Sequence, residues 1–229
     1  MTSQAQVPGK RVVVIGSSGH AKVVVDILEK AGHHAMVGYI DSYKPAGTMH
    51  FGYPVLGSEQ ALPQLIDTWD LQGYVVAVGD NFLRLQLAQT VDRLSSGRLV
   101  PVNAIHPQAM LSRGVSLGWG NVLMAGAVIN ADCRLENHTI VNTAASLDHD
   151  TVLEEGASLA PGARTGGNCH IGLGAAIGIG AVLAHRMRVG SHAIVGAGAT
   201  VLQEVAPMQV VYGTPARAVR TRQPGDKYL

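Results

Sequence analysis

The chain has 229 residues, with 17 Lys plus Arg against 16 Asp plus Glu, a formal net charge of +1. That balance gives it no electrostatic reason to hold nucleic acid or an anionic membrane surface, and no apolar run reaches the ~20 residues of a membrane span. Aromatic residues are only 4% while glycine stands at 28 positions, well above the ~7% usual share, so the core has to be built by stacking small and aliphatic side chains.

The opening, Met1–Lys10, is polar and lacks the apolar stretch of a secretory leader. Residues 11–16 (RVVVIG) form a continuous β-branched run, as expected of a buried parallel strand. The loop Gly16-Ser17-Ser18-Gly19-His20 follows, and 21–31 carries apolar positions at helical spacing up to Gly32. Further strands are expected at 35–40, ending at Asp41, at 54–57 and at 74–79, with helices near 58–68 and 81–94. Strands separated by helices predict a parallel sheet with right-handed crossovers, a small Rossmann-like unit.

From residue 105 the period changes to six. Of the seventeen positions six apart from Ile105 to Val201, sixteen are aliphatic, and the exception is Thr165. Two residues before many of them stands a small residue, such as Ala127, Cys133, Ala145 or Cys169. Neither a helix nor a simple strand has this period; a hexapeptide solenoid does. Each hexad makes one face of a triangular prism, three hexads complete a coil, and residues eighteen apart stack about 4.8 Å from one another. Cys133 and Cys169 then lie two coils apart, about 9–10 Å and beyond the ~7 Å Cα limit of a disulfide, so both are expected as free thiols in a cytoplasmic protein. His149, Gly167 and His185 fall in one column. The fold class expected is α/β plus β: a Rossmann-like domain over 1–102 followed by a left-handed parallel β-helix over 103–229. A short helix near 215–222 is expected to cap it, with a frayed tail from 223.

Four segments carry a resemblance: GSSGHAKVVVDIL (16–28), VGDNFLR (78–84), LDHD (147–150) and GTPARAV (213–219). In this order, across residues 11–220, the chain resembles the hexapeptide-repeat sugar acyltransferases of the sialic-acid O-acetyltransferase type, which include N-acetyltransferases of nucleotide-linked 4-amino sugars. The resemblance implies a homotrimer with active sites at subunit interfaces. It also implies acetyl-CoA as co-substrate between neighbouring prisms, and a nucleotide-linked amino sugar held by the N-terminal domain for surface glycan synthesis.

His149 stands between Asp148 and Asp150. A carboxylate on Nδ1 fixes the imidazole tautomer and leaves Nε2 to take a proton; the resemblance places the general base at His149 and its acidic partner at Asp150, with Asp148 an open alternative. Gly167, without a side chain, can offer its N–H to an oxyanion, and the resemblance puts a glycine there. The resemblance also matches Asn142 to a family asparagine seven residues before the base. It expects a second histidine nine residues after the base, where this chain has Ser158. Gly16, Ser17, Ser18, Gly19 and His20, opening a helix, suit a pyrophosphate and by resemblance line the nucleotide-sugar site. Asp41 follows strand two, where such folds contact ribose, or else serves a turn. Asp80 and Asn81 face the same sheet edge, or cap the helix that follows. For acyl-CoA the resemblance points to Gly167, Ile179, Gly180, Ala197, Ala199 and Pro215. The histidines are too scattered for a metal site within one chain. Two other readings stay open, a sugar O-acetyltransferase of the sialic-acid type and a non-catalytic sugar-nucleotide-binding module.

Overall fold

The computed structural model describes residues 9–227. Positions 1–8 of the polar opening and residues 228–229 lie outside them. The chain begins as a parallel sheet. Strand β1 (Arg11–Ile15) pairs with β2 (Ala35–Ile40) on one side and β5 (Gly73–Val76) on the other. Beyond β2 lies β4 (Tyr53–Gly57), edged by the antiparallel β3 (Met49–His50), and β5 is followed by β6 (Val100–Pro101). Val12, Val13, Val14 and Ile15 are each 0% exposed, because helices cover both faces of the sheet.

Helix α1 (Gly19–Ala31) buries Ala21, Val24, Val25, Ile27 and Leu28, and ends at Gly32 in the left-handed region. It begins two residues earlier than the apolar spacing implies, so Gly19 and His20 are its first turn. Helix α2 (Leu62–Trp69) follows a single 3₁₀ turn at Glu59–Ala61. Helix α3 (Asn81–Ser95) is capped by the Asp80 carboxylate, which accepts the Leu83 N–H at 2.9 Å.

Seventeen two-residue strands then recur every six residues, from β7 (Ala104–Ile105) to β23 (Thr200–Val201). They stack in three parallel sheets with partners eighteen apart, for example Val122 on Ile140 and Ile140 on Ser158. This is a left-handed parallel β-helix. Its turns use a left-handed residue at every sixth position, including Asp132, Asp150 and Asn168 with φ of 57–58°; Asp and Asn accept that conformation better than most residues. The aliphatic lattice from Leu123 to Val201 is buried, and Thr165 sits within it at 7% exposure.

The three prism edges differ in the small residue that lines them. One edge has alanine throughout: Ala109, Ala127, Ala145, Ala163, Ala181 and Ala199. A second begins with a polar ladder, in which Asn121 N–H donates to Asn103 Oδ1 at 2.9 Å and Thr139 N–H to Asn121 Oδ1 at 2.8 Å. The third carries Cys133, Thr151 and Cys169, whose Sγ–H, Oγ–H and Sγ–H donate to the carbonyls of Asp148, Gly166 and Ala184. Both cysteines are free and buried, and burial pushes both thiols up.

Helix α3 docks on the second edge. Arg84 is 0% exposed; its guanidinium donates to the carbonyls of His138 (2.8 Å) and Gly156 (2.7 Å) in the prism and of Val78 (3.1 Å) on its own side.

The C-terminal helix expected near 215–222 is a strand. β25 (Arg217–Thr221) runs antiparallel to β24 (Gln209–Tyr212), which continues the prism by pairing with Ile194–Val195. The open edge of β24 offers backbone partners that a helix would leave unused. The tail is also held further than expected: Arg222 is 5% exposed, donates to His192 O, and Gln223 N–H donates to Asp226 Oδ2 at 2.8 Å.

Candidate active site

His149 occupies the turn after Leu147, on the edge lined by Cys133, Thr151 and Cys169. The lattice exception explains how the turn is held. Elsewhere on this stack a backbone N–H reaches the carbonyl one coil on, as Asn130 N–H does to Leu147 O. Asp148 N–H instead donates to the hydroxyl of Thr165 at 3.1 Å. Thr165, stacked under Leu147, therefore takes over one rung at the residue before His149.

The His149 Nδ1 lies 2.7 Å from Asp150 Oδ2. Asp148 is engaged elsewhere, its Oδ1 accepting from Asn130 Nδ2 (3.0 Å) and from the His149 N–H (2.9 Å). The Asp150 hydrogen bond, helped by the charges of Asp148 and Asp150, holds the imidazole above its ordinary pKa. With Nδ1 bound, Nε2 is left for a proton. Both side chains are half exposed.

Gly167 lies directly under this ring. A Cβ at Gly167 would stand 2.5 Å from His149 Nε2 and 2.6 Å from Cε1. The residue is glycine because the imidazole rests on its Cα. Its N–H, however, is occupied within the chain: it donates to His185 Nδ1 at 3.0 Å. An oxyanion could use that N–H only after His185 turned away.

A separate cavity of about 490 Å³ lies against another prism face, beneath the α/β domain. Its wall includes His20, Gly79, Asn142, Ser158, Ile179, Ala197 and Tyr212. The sequence signals thus come together in part. His20 from the Gly-rich loop meets Asn142, the family-matched asparagine, and Ser158, the residue at the departure from the family pattern. Ile179 and Ala197, matched to the acyl-CoA site, share the wall. Gly180, in a left-handed turn with open space around it, adjoins Ile179, and Pro215 is exposed beyond β24. His149 is absent from this wall.

Burial first, then the Arg84 guanidinium, lowers His20 to a pKa of about 4, so its ring is neutral at ordinary pH. Its Nε2 is buried with no hydrogen-bond partner among the described residues. A buried polar atom without a partner is costly; His20 lines the cavity, while this nitrogen is itself sealed from solvent.

Five of the expected site residues are engaged within the chain. Ser17 N–H donates to Asp41 Oδ2 at 2.9 Å and its hydroxyl donates to the same oxygen, while Tyr43 N–H donates to Oδ1 at 2.7 Å. Burial would raise the Asp41 pKa, but these bonds and Lys44 bring it below its usual value. Asp41 and Ser17 therefore hold the loop for Ser18, Gly19 and His20, and Gly16 takes φ of 90° to enter it. Asn81 is 1% exposed; its Nδ2 donates to Gly174 O (3.2 Å) and Ala175 O (3.0 Å), and its Oδ1 accepts from Arg84. It clamps the domains together, and Asp80 caps α3. Ala199 faces the prism interior at 0% exposure, with its N–H and C=O both in backbone bonds, so its methyl cannot touch an acyl donor lying outside the prism.

Residues to which the sequence assigned no role are Arg84, Thr165 and Tyr212. Thr165 stood out only as the polar member of the aliphatic lattice, and Arg84 only as the last residue of the VGDNFLR segment. Tyr212 carries no local signal. Among the described residues no three His, Cys, Asp or Glu are grouped to hold a metal ion, and no helix is long and apolar enough to cross a membrane.

Residues 11–91 match the family described as the PglD N-terminal domain. Over nearly its whole length the chain is similar to the perosamine N-acetyltransferase of Caulobacter crescentus, solved with CoA and GDP-perosamine. The identity is 35%, covering 93% of this chain and 98% of that one, with a TM-score of 0.86. The acetyltransferase domain of PglB from Neisseria gonorrhoeae, solved with acetyl coenzyme A, is 32% identical over 92% of this chain and 100% of that one, with a TM-score of 0.82. The UDP-N-acetylbacillosamine N-acetyltransferase of Bacillus subtilis is 30% identical over 122 residues, which is 51% of this chain and 52% of that protein, about half its length.

Proposed function

We infer, for a chain that belongs to the nucleotide-amino-sugar N-acetyltransferase family, that it moves the acetyl group of acetyl-CoA to the 4-amino group of a nucleotide-linked 4-amino-4,6-dideoxy sugar, of the UDP-linked or GDP-perosamine type. The observation that carries this reading is the His149–Asp150 pair at 2.7 Å, seated on Gly167 at a prism edge.

In the reaction, the amine nitrogen attacks the thioester carbonyl carbon and a C–N bond forms. His149 Nε2 takes the proton from that nitrogen, while Asp150 keeps Nδ1 protonated and stabilises the imidazolium. Once His185 turns away, the Gly167 N–H donates to the charge that develops on the carbonyl oxygen. The C–S bond breaks and CoA leaves as thiolate, to be protonated from the imidazolium or solvent.

The first turn of α1, with no side chain capping it, presents N–H groups that suit the pyrophosphate, and His20 of that turn lines the same cavity. Asn142 and Ser158 line the same cavity and face the sugar. Ile179, Gly180, Ala197 and Pro215 border the path of the pantetheine arm. Because His149 and the cavity stand on different parts of the prism, one chain does not complete the site. The reading is a cytoplasmic homotrimer in which the base of one subunit meets the sugar held by the next, with domains at 1–102 and 103–229.

The test is thiol release from acetyl-CoA against UDP-, GDP- and dTDP-linked 4-amino sugars and sialic acid. Release with one amino sugar, together with the mass gain of one acetyl group on it, supports the reading. Turnover of sialic acid alone replaces it with O-acetylation. Nucleotide-sugar binding without any release replaces it with a binding module.

A further inference from the structure

The His149 edge carries a second histidine that the reaction above leaves unused. His185 lies eighteen residues after Gly167, and its Nδ1 accepts the Gly167 N–H at 3.0 Å. Two consecutive glycines seat the two rings. Gly167 lies under His149, and at Gly166 a Cβ would stand 2.8–3.0 Å from His185 N, Cα and Cγ. The carbonyl of the peptide between them, Gly166 O, accepts from the Thr151 hydroxyl at 3.4 Å, and the peptides on either side are fixed, Arg186 N–H donating to Gly167 O at 2.9 Å and Gly166 N–H to Leu183 O at 2.8 Å. His185 itself is exposed. Its ring can leave by side-chain rotation while the amide stays where it is.

We propose that His185 is a positioning residue that occupies the Gly167 amide while the acyl-donor site is empty and yields it to the carbonyl oxygen of the arriving thioester. This rests on the acetyl-transfer reading above. No covalent bond changes: one N–H···N hydrogen bond is exchanged for one N–H···O bond. The ring keeps the amide aimed and away from competing water, and the donor gains the amide only by displacing it. Free CoA has no thioester carbonyl and does not draw on the exchange. His185 therefore weakens the binding of acetyl-CoA relative to that of CoA.

The experiment is calorimetric titration of the full chain with acetyl-CoA and, separately, with CoA, for the wild type, His185→Ala and His185→Asn. In His185→Ala the acetyl-CoA Kd should fall about fivefold, the size expected when one neutral competing hydrogen bond is removed, while the CoA Kd stays unchanged. His185→Asn places an amide oxygen near the position of Nδ1, keeps an acceptor for Gly167, and should behave as wild type. Equal changes for both ligands, no change for either, or weaker acetyl-CoA binding in His185→Ala would overturn the proposal. Wild-type protein that binds no acetyl-CoA would sink the acetyl-transfer reading itself, a result distinct from normal binding that His185 does not affect.

Discussion

Two edges of the prism share one backbone and have opposite fates. On the edge that meets α3, the turn carbonyls of His138, Gly156 and Gly174 are covered by Arg84 and Asn81 of the same chain. On the edge of His149, the equivalent turn residues Asp132, Asp150 and Asn168 are exposed. The hexapeptide period dictates neither outcome. It fixes which side chains point inward and leaves each edge to be defined by what decorates it. The covered edge is a domain joint, built from a buried guanidinium and an amide. The open edge places an imidazole and a carboxylate where a second molecule can reach them, above a buried amide N–H that His185 holds.

The comparison can be broken most sharply at His149. His149→Ala removes the base and should lower kcat about 10³-fold, within the range for a lost general base, with Tm unchanged; a near-wild-type rate would show that the amine sheds its proton elsewhere. Gly167→Ala is the next largest effect on this edge. The residue has an ordinary backbone conformation, so the added methyl acts only through the His149 ring, and the displaced base should cost about 10²-fold in kcat. Unfolding midpoints close to wild type would confirm that the loss is local.

The covered edge should respond in stability. Arg84→Met strands the carbonyls of His138 and Gly156 away from water and should cost about 2–4 kcal/mol, read by urea unfolding. Loss of activity without loss of stability would mean that Arg84 serves the substrate more than the joint.

A smaller effect concerns pH. The Asp150 hydrogen bond raises the His149 pKa, and the base acts in its neutral form. Activity should therefore rise with pH through a midpoint above the ordinary 6.5 of histidine. Asp150→Asn removes the carboxylate that favours the imidazolium, so the acid limb of the kcat profile should move to lower pH. A limb that stays in place would assign it to another group. The smallest change expected is Cys169→Ala, which removes the donor to Ala184 O and should cost about 1 kcal/mol. Cys169→Ser, which restores a hydroxyl donor, is the control in the same melting experiment.

Much of this architecture is readable from side-chain spacing. The period of six in Ile105–Val201 contains the prism, its register and the stacking of His149 over Gly167, because inward and outward positions alternate without an insertion. The same register places Ala199, two residues before Val201, inside the prism, although resemblance alone assigns it to the acyl donor. What stayed hidden depends on contacts between distant segments. Arg84 looks like any helical arginine until two prism carbonyls close on it. Ser17 and Asp41 both suit a nucleotide, and only the approach of β1 to β2 shows that they bind each other. The last strand was missed because Arg217–Thr221 pairs with an edge that exists only once the prism is complete.

The uniform spacing has one more consequence. A coil of eighteen residues is interchangeable with its neighbours as far as the interior is concerned, so sliding the array by one whole coil would keep every aliphatic contact. The marks that forbid this are few, two outside the lattice and one within it: the Asn103–Asn121–Thr139 ladder at the start, the grip of Arg84 and Asn81 midway, and Thr165 beneath the turn of His149. They number the rungs of an otherwise unlabelled ladder, and they tie that numbering to the turn that bears the base.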